Sequence, residues 1–299
     1  MSFGKGQDYF NKDVVLFYGP TLWALPVVEK RRGQIWVLYG RKPPPYYKPL
    51  YRWNKLFNWT MTYRRDSDFL AVYGQFQPIP KPFNRLPKTT QNVNDVFDPT
   101  KYVLSSVNEH ATAWFVSHCR TQSKREDYVK TLKKTHYVDI YGACGTLQCD
   151  ESDRLQCLSS LKQKYKFYLS FENSLCRDYI TEKSFDIYSN MLDVVPVTRG
   201  FCGIYSMYLP PGSFIDTSYY NDIDQLGHFL NYLSRNKTSY LRYFQWRKHY
   251  QVQYPDPFCE LCDRMHEPNM TTKYYRLYLD IHRWFLGSPN ASMCTKPRI

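Results

Sequence analysis

The sequence predicts an α/β protein. From Ala113 to Val197, short apolar segments of strand character alternate with segments whose apolar residues recur at helical spacing. Strand, helix, strand, helix, strand is how a parallel sheet is written in sequence. Val194–Val197 is apolar throughout, which fits a strand covered on both faces. With 299 residues, 43% of them hydrophobic, and with its charges scattered, the chain can bury one large core or two smaller ones.

The elements follow in order. Val14–Tyr18 and the β-rich Gln34–Tyr39 read as buried strands, and Arg41–Pro49 as a Pro-rich loop through Pro43, Pro44 and Pro45. Phe57–Tyr63 and Phe69–Tyr73 alternate around Arg64–Asp68 as strand, loop and strand. Gln75–Thr100, rich in Pro and Asn, reads as a long surface loop or linker. Beyond Lys101 come a strand at Ala113–Val116, a helix at Lys124–Lys134 with Tyr128, Val129 and Leu132 on its apolar side, and a strand at Tyr137–Tyr141 ending at Gly142. A strand at Tyr165–Phe171 precedes a helix at Tyr179–Leu192, whose apolar stripe runs through Ile180, Ile187 and Met191 and whose N-cap is expected at Asp178. Leu226–Leu233 and Tyr240–Tyr250 read as further helices.

The net charge of +13 admits a nucleic acid, an anionic membrane surface or a phosphorylated small ligand. The basic residues are spread out, and the two densest runs, Glu29–Arg32 and Lys130–Lys134, are short and read as solvated faces. No groove-reading motif accompanies them, which argues against nucleic acid, and a phosphate-rich small ligand remains compatible with the charge. The 28 Tyr, 18 Phe and 7 Trp imply first a large aromatic core and then some half-exposed rings able to stack on sugars or bases.

N-glycosylation sequons begin at Asn58, Asn236, Asn269 and Asn290, a number that points to the secretory pathway. There the nine cysteines become disulfide candidates, with an odd one left over. The stretch Met1–Asp13 is polar, and Val14–Val28, broken by Pro20 and Pro26, is too short to span a membrane, so neither reads as the signal a lumenal enzyme requires.

The strand pattern also suggests a site. In open α/β sheets ligands bind beyond the carboxyl ends of the strands. Tyr165–Phe171 runs into Glu172, Asn173 and Ser174, and the first turn of the next helix carries Thr181, Glu182 and Lys183 beside free backbone N–H groups. A helix N-terminus attracts anions, Lys183 adds a full charge, and Glu182 can accept from sugar hydroxyls. After the preceding strand come Ser117, His118 and Arg120, with Arg125 opening the next helix. Neighbouring strands would bring Arg125 and Lys183 to one edge, where two cations could neutralise a departing diphosphate. The alternative is a capped helix with a solvated Glu–Lys pair and a surface arginine.

The run FYLSFENSLCRDYITEKSFD, Phe167 to Asp186, closely resembles the donor-binding motif of the α1,3/α1,4-fucosyltransferase family. FNWTMTYRRDSD (Phe57–Asp68), VDIYG (Val138–Gly142), VPV (Val195–Val197) and LPPGSFI (Leu209–Ile215) agree in order, so the resemblance covers nearly the whole chain. It implies a GT-B fold of two Rossmann-like lobes. Residues 1–100 would form an incomplete acceptor-side lobe. Residues 101–299 would form the GDP-fucose lobe, with the C-terminal helices and the CxxC segment. The implied reaction moves fucose from GDP-fucose to the 3-hydroxyl of a GlcNAc in a glycan, with inversion and without an essential metal ion. The implied location is the Golgi lumen, as a type II membrane protein whose anchor is absent from this chain.

By the same resemblance Arg125 and Lys183 hold the diphosphate, and Asn173, Tyr179 and Glu182 contact phosphate, ribose or fucose. His118 stands where the family has Asn and can still donate a hydrogen bond. Cys259 and Cys262, with Cys294 as a possible associate, become a C-terminal disulfide element and not a zinc site, for which a second cysteine pair is missing. VDIYGACG is similar to members that modify the innermost GlcNAc of N-glycans, whereas LPPGSFI is closer to the Lewis-type members.

One departure bears on chemistry. Inverting transfer needs a general base. The family places a Glu just upstream of the FNWT segment, where this chain has Arg41 and Lys42. Asp66 and Asp68 are the nearest carboxylates and read first as turn or ion-pair partners of Arg64 and Arg65. The catalytic base therefore stays unassigned, and a relative that binds GDP-fucose or glycan without transfer stands as the alternative function.

Overall fold

The computed structural model describes residues 7–24, 29–80, 112–148, 154–159 and 161–299. The linker reading of Gln75–Thr100 falls largely outside these residues, as does a boundary at residue 100. The chain divides into two compact units, each with its own parallel sheet. The first holds Met1–Tyr73, Cys176–Tyr179 and Tyr254–Thr295, and the second holds Gly74–Leu175, Ile180–Gln253 and Lys296–Ile299. The CxxC segment, expected with residues 101–299, lies in the first unit, whereas the helices expected at Leu226–Leu233 and Tyr240–Tyr250 fall in the second.

In the first unit β1 (Val14–Tyr18), β2 (Ile35–Gly40), β3 (Trp59–Thr62) and β4 (Phe69–Leu70) form a parallel sheet in that order. Side chains alternate along β2: Ile35 and Val37 join one apolar cluster, Trp36 and Leu38 the other. Both faces are therefore covered, as a continuous apolar run requires.

The second unit contributes β5 (Gln75–Pro78), β6 (Thr112–Phe115), α1 (Arg125–Leu132), β7 (Val138–Tyr141), the short helices α2 (Arg154–Ser159) and α3 (Leu161–Lys164), β8 (Phe167–Phe171), α4 (Glu182–Ser189), β9 (Val195–Arg199), β10 (Ile215–Asp216), α5 (Ile223–Arg235), α6 (Lys237–Arg242) and β11 (Tyr250–Gln253). Its main sheet is parallel in the order β10-β9-β8-β6-β7. One face packs Phe167, Leu169 and Phe171 against α1 and α5, whose Leu226, Leu230 and Leu233 lie at helical spacing. Each such fully buried leucine contributes about 1.5–3 kcal/mol. The other face packs Ala113 and Tyr168 on Leu158, Leu161, Ile187 and Leu192. The predicted helix Tyr240–Tyr250 is only partly helical: α6 ends at Arg242 and β11 begins at Tyr250, pairing antiparallel with β5.

The predicted helix at Tyr179 also begins later, at Glu182 with Thr181 as N-cap. Cys176 is bonded to Cys294, the Arg177 N–H donates to the Met293 carbonyl at 2.8 Å, and Asp178 is held at φ 63°. The cap falls instead on Thr181, extended at φ −116°, three residues after Asp178.

The first unit closes with α7 (Pro257–His266), α8 (Met270–Tyr274), α9 (Ile281–Leu286) and a small hairpin of β12 (Gly287–Ser288) and β13 (Ala291–Ser292). Two expectations are corrected here. Cys259 and Cys262 are free thiols on α7, one beside Asp256 Oδ2 at 3.4 Å and the other beside His266 Nδ1 at 3.8 Å, while Cys294 pairs with Cys176. The sequon at Asn58 is structural: the residue is fully buried, its Oδ1 accepts from the Trp36 N–H at 3.0 Å and from Lys30 Nζ, and its Nδ2 donates to the Arg276 carbonyl at 3.0 Å. Asn269 and Asn290 are exposed, Asn290 in the turn of the β12–β13 hairpin.

Candidate functional site

The sheet of the second unit reverses its winding between β6 and β8. From β6 the chain steps outward to β7, returns to the other side of β6 as β8, and continues to β9 and β10. The loops leaving β6 and β8 therefore diverge, opening a crevice at the carboxyl edge of the sheet.

The residues after β6 and β8 are stitched across that crevice. The Ser123 N–H donates to the Asn173 carbonyl at 3.1 Å, Ser123 Oγ donates to the Glu172 carbonyl at 2.7 Å, and Gln122 Oε1 accepts from the Leu175 N–H at 2.9 Å. A disulfide between Cys119 and Cys144 joins the loops after β6 and β7. Gly142, at φ 91°, turns that second loop where a Cβ would sit 2.8 Å from the Val116 carbonyl.

Arg125 opens α1 and is buried. It donates to the Phe171 carbonyl at 2.8 Å and to the His118 carbonyl at 3.3 Å, so it braces the ends of β6 and β8. Lys183 stands in the first turn of α4 with 16% of its side chain exposed. Its Nζ contacts Thr181 Oγ1 at 2.6 Å, Glu172 Oε2 at 3.1 Å and Glu182 Oε1 at 3.2 Å. Glu172 is completely buried, and its carboxylate also accepts from the Thr181 N–H at 2.8 Å and from Thr181 Oγ1. Burial pulls the Lys183 pKa down, but Glu172 and Glu182 outweigh it and raise it overall, so the ammonium persists at neutral pH. Arg125 reaches the Phe171 carbonyl and Lys183 the carboxylate of the next residue, Glu172, so both cations stand at the end of β8. Arg199, at the end of β9, is a third buried cation there, donating to the Ser123 carbonyl at 2.8 Å and lying over the Tyr128 ring at 4.6 Å.

Of the residues expected to bind a donor, Arg125, half-buried Asn173, Glu182 and Lys183 gather at this crevice. His118 is exposed and offers its carbonyl to Arg125. Tyr179 belongs to the first unit, buried edge-to-face on Tyr63 at 5.1 Å. The sequence pattern placed Glu172 and Thr181 at this strand end and helix start without giving either a role, and it did not single out Arg199. A polar Glu directly after an apolar strand, nine residues before a Thr and eleven before a Lys, was the available signal for the first two; nothing in the spacing flags Arg199.

In the first unit, Arg41 donates to the Val72 carbonyl at 3.0 Å and stacks on Tyr73, and Lys42 is exposed. Asp66 pairs with Arg64, as the sequence suggested. Asp68 pairs instead with Arg276 at 3.0 Å and accepts from Tyr278 OH at 2.9 Å. Both carboxylates are thus engaged in structural contacts. Among the described residues no cluster of His, Cys, Asp or Glu could hold a metal ion.

The sequence matches two family profiles: a fucosyltransferase N-terminal region over residues 5–74 and the C-terminal region of glycosyltransferase family 10 (fucosyltransferase) over residues 105–284. It is 38% identical over 289 residues to alpha-(1,3)-fucosyltransferase C of Drosophila melanogaster, covering 92% of this chain and 66% of that protein. It is 32% identical over 285 residues to alpha-(1,3)-fucosyltransferase 7 of Bos taurus, covering 91% of this chain and 74% of that one. The chain therefore spans about two thirds of the length of the Drosophila relative. A crystal structure of an α1,3-fucosyltransferase shares the fold at 19% identity with a TM-score of 0.50, over 84% of this chain and 71% of that one.

Proposed function

The chain belongs to glycosyltransferase family 10, the fucosyltransferases, and from that premise we propose that it transfers L-fucose from GDP-fucose to the 3-hydroxyl of a GlcNAc in glycoprotein glycans, with inversion. The observation that carries this reading is Lys183: a persistent ammonium at the N-terminus of α4, fixed by Glu172 and Thr181 and accompanied by Arg125 at the carboxyl edge of the sheet.

As the bond from fucose C1 to the β-phosphate oxygen breaks, charge grows on the departing GDP. Cations and helix N–H groups already aimed at that position stabilise the transition state without reorganising. Neutralisation is assigned to these side chains, so the reading requires no divalent metal. Asn173 and Glu182 flank the same edge and are assigned to phosphate, ribose or fucose hydroxyls, with His118 as a further donor contact. The acceptor hydroxyl attacks C1 from the opposite face and loses its proton. Arg41 and Lys42 are cations and are not assigned to take it.

The disulfides fit an oxidising compartment. We place the enzyme in the Golgi lumen, held in its full-length form by a type II membrane anchor. None of the described helices is long and apolar enough to cross a membrane. The relatives are named as transferases, and nothing in their names favours a chain that binds without transferring.

The test is GDP-fucose transfer to N-glycan core and lactosamine acceptors, read by product mass, beside calorimetric GDP binding. Transfer is expected, with Lys183→Ala losing about 100-fold or more in kcat/KM. Binding without transfer refutes the enzymatic reading, and an unchanged Lys183→Ala refutes the site.

A further inference from the structure

Beside the edge strand β10 the second unit carries a cleft of about 630 Å³, within the ~300–1,000 Å³ typical of small-ligand sites. Its walls are aromatic and include Phe214, Tyr219, Tyr220, Phe229, Tyr232 and Tyr243. Tyr219 and Tyr232 are 69% and 57% exposed, so large flat rings face water. Two charged groups share the lining, Arg242 and Asp216. Asp216 is 3% exposed. Its Oδ1 accepts from the Ser218 N–H at 2.8 Å, but its Oδ2 is buried without a hydrogen-bond partner among the described residues. Burial raises its pKa, as befits an acceptor short of donors. Such an acceptor costs free energy until a donor reaches it. Flat rings with one acceptor and one guanidinium suit a pyranose, which stacks its C–H face and donates from a hydroxyl or amide.

A sequon lies on the rim. The carboxamide of Asn236, followed by Lys237 and Thr238, is held by two residues that line the cleft: Oδ1 accepts from the Ser239 N–H at 2.9 Å, and Nδ2 donates to Tyr232 OH at 3.0 Å. N-glycosylation joins Nδ2 to the anomeric carbon of a polyprenyl-diphosphate-linked oligosaccharide, the lipid diphosphate leaving and one amide proton passing to solvent. Oδ1 is unchanged and keeps its bond from the Ser239 N–H, and Nδ2 keeps one N–H. We propose that Asn236 carries an N-glycan whose proximal N-acetylhexosamine folds into this cleft, stacking on the tyrosines and donating a hydrogen bond to Asp216 Oδ2. The proposal rests on the lumenal location assigned above, not on the transfer reaction.

The protein, secreted from eukaryotic cells, is mapped by glycopeptide mass spectrometry. Its melting temperature is then measured before and after enzymatic removal of glycans from the folded protein. Asp216→Asn is measured in parallel, because Asn keeps the Oδ1 bond to Ser218 and replaces only the second acceptor. Occupancy at Asn236 is expected. Glycan removal should lower Tm by about 2–4 °C, the scale of one lost contact in a domain of this size, and that loss should vanish in Asp216→Asn. Glycans at Asn269 or Asn290 with none at Asn236 overturn the proposal, as does an equal Tm loss in parent and variant. Glycans at no site overturn the lumenal location with it, while absent transferase activity beside an occupied Asn236 leaves the proposal standing.

Discussion

Replacing Glu172 by Gln tests whether the buried carboxylate positions Lys183. The parent carboxylate is fully buried and accepts from the Thr181 N–H, Thr181 Oγ1 and Lys183 Nζ. Gln keeps one carbonyl oxygen for Thr181 but turns an N–H₂ toward the ammonium. Removing one member of a buried pair costs about 3–5 kcal/mol. Here Lys183 retains Glu182 and is 16% exposed, which reduces the expected loss to about 2–3 kcal/mol. In a domain of this size that lowers Tm by roughly 5–10 °C. Lys183 also loses the partner that aims it, so KM for GDP-fucose should rise about tenfold or more, a change of ~1.4 kcal/mol. The control is Glu182→Gln, whose side chain is 40% exposed and whose charge contributes about 0–1 kcal/mol to stability. Thermal unfolding of the three proteins, with steady-state kinetics of the parent and Glu172→Gln, is sufficient. If Glu172→Gln melts within about 1 °C of the parent with an unchanged KM, the positioning argument is wrong.

Asn58, despite its sequon, should carry no glycan in the folded protein, and Asn58→Ala should cost about 2–4 kcal/mol in urea unfolding because it strands buried donors and an acceptor. Glycopeptides bearing sugar at Asn58 would contradict its burial. In native alkylation Cys202 and Cys259 should react while Cys119, Cys144, Cys176 and Cys294 react only after reduction; protection of Cys259 would restore the C-terminal disulfide element that the resemblance implied. Burial lowers the Lys30 pKa to about 8. The unfolded chain thus binds more protons between that value and the ordinary lysine range, so this residue makes stability rise with pH across that window. Lys30→Met should flatten the slope, measured as urea midpoints from pH 7.5 to 10; an unchanged slope would refute the assignment.

Periodicity alone carried much of this fold. The all-apolar Val194–Val197 and the alternation through Ala113–Phe171 depend on which side chains can be buried on a sheet, and that is local information. Lys183 at a helix N-terminus was legible for the same reason, since a strand end, a turn and a helix start are contiguous in the chain. What sequence could not decide was long-range. Asn58 is buried because Trp36, Lys30 and Arg276 converge on it, and a sequon records none of them. Cys294 finds Cys176 across a separation of 118 residues, whereas a CxxC draws the eye because its members are near in sequence. Glu172 became an anchor only when α4 laid Thr181 and Lys183 against it. Burial and pairing are properties of the packed chain, so the sequence determined the elements and the family, and the tertiary structure decided which polar groups are held and which are left open.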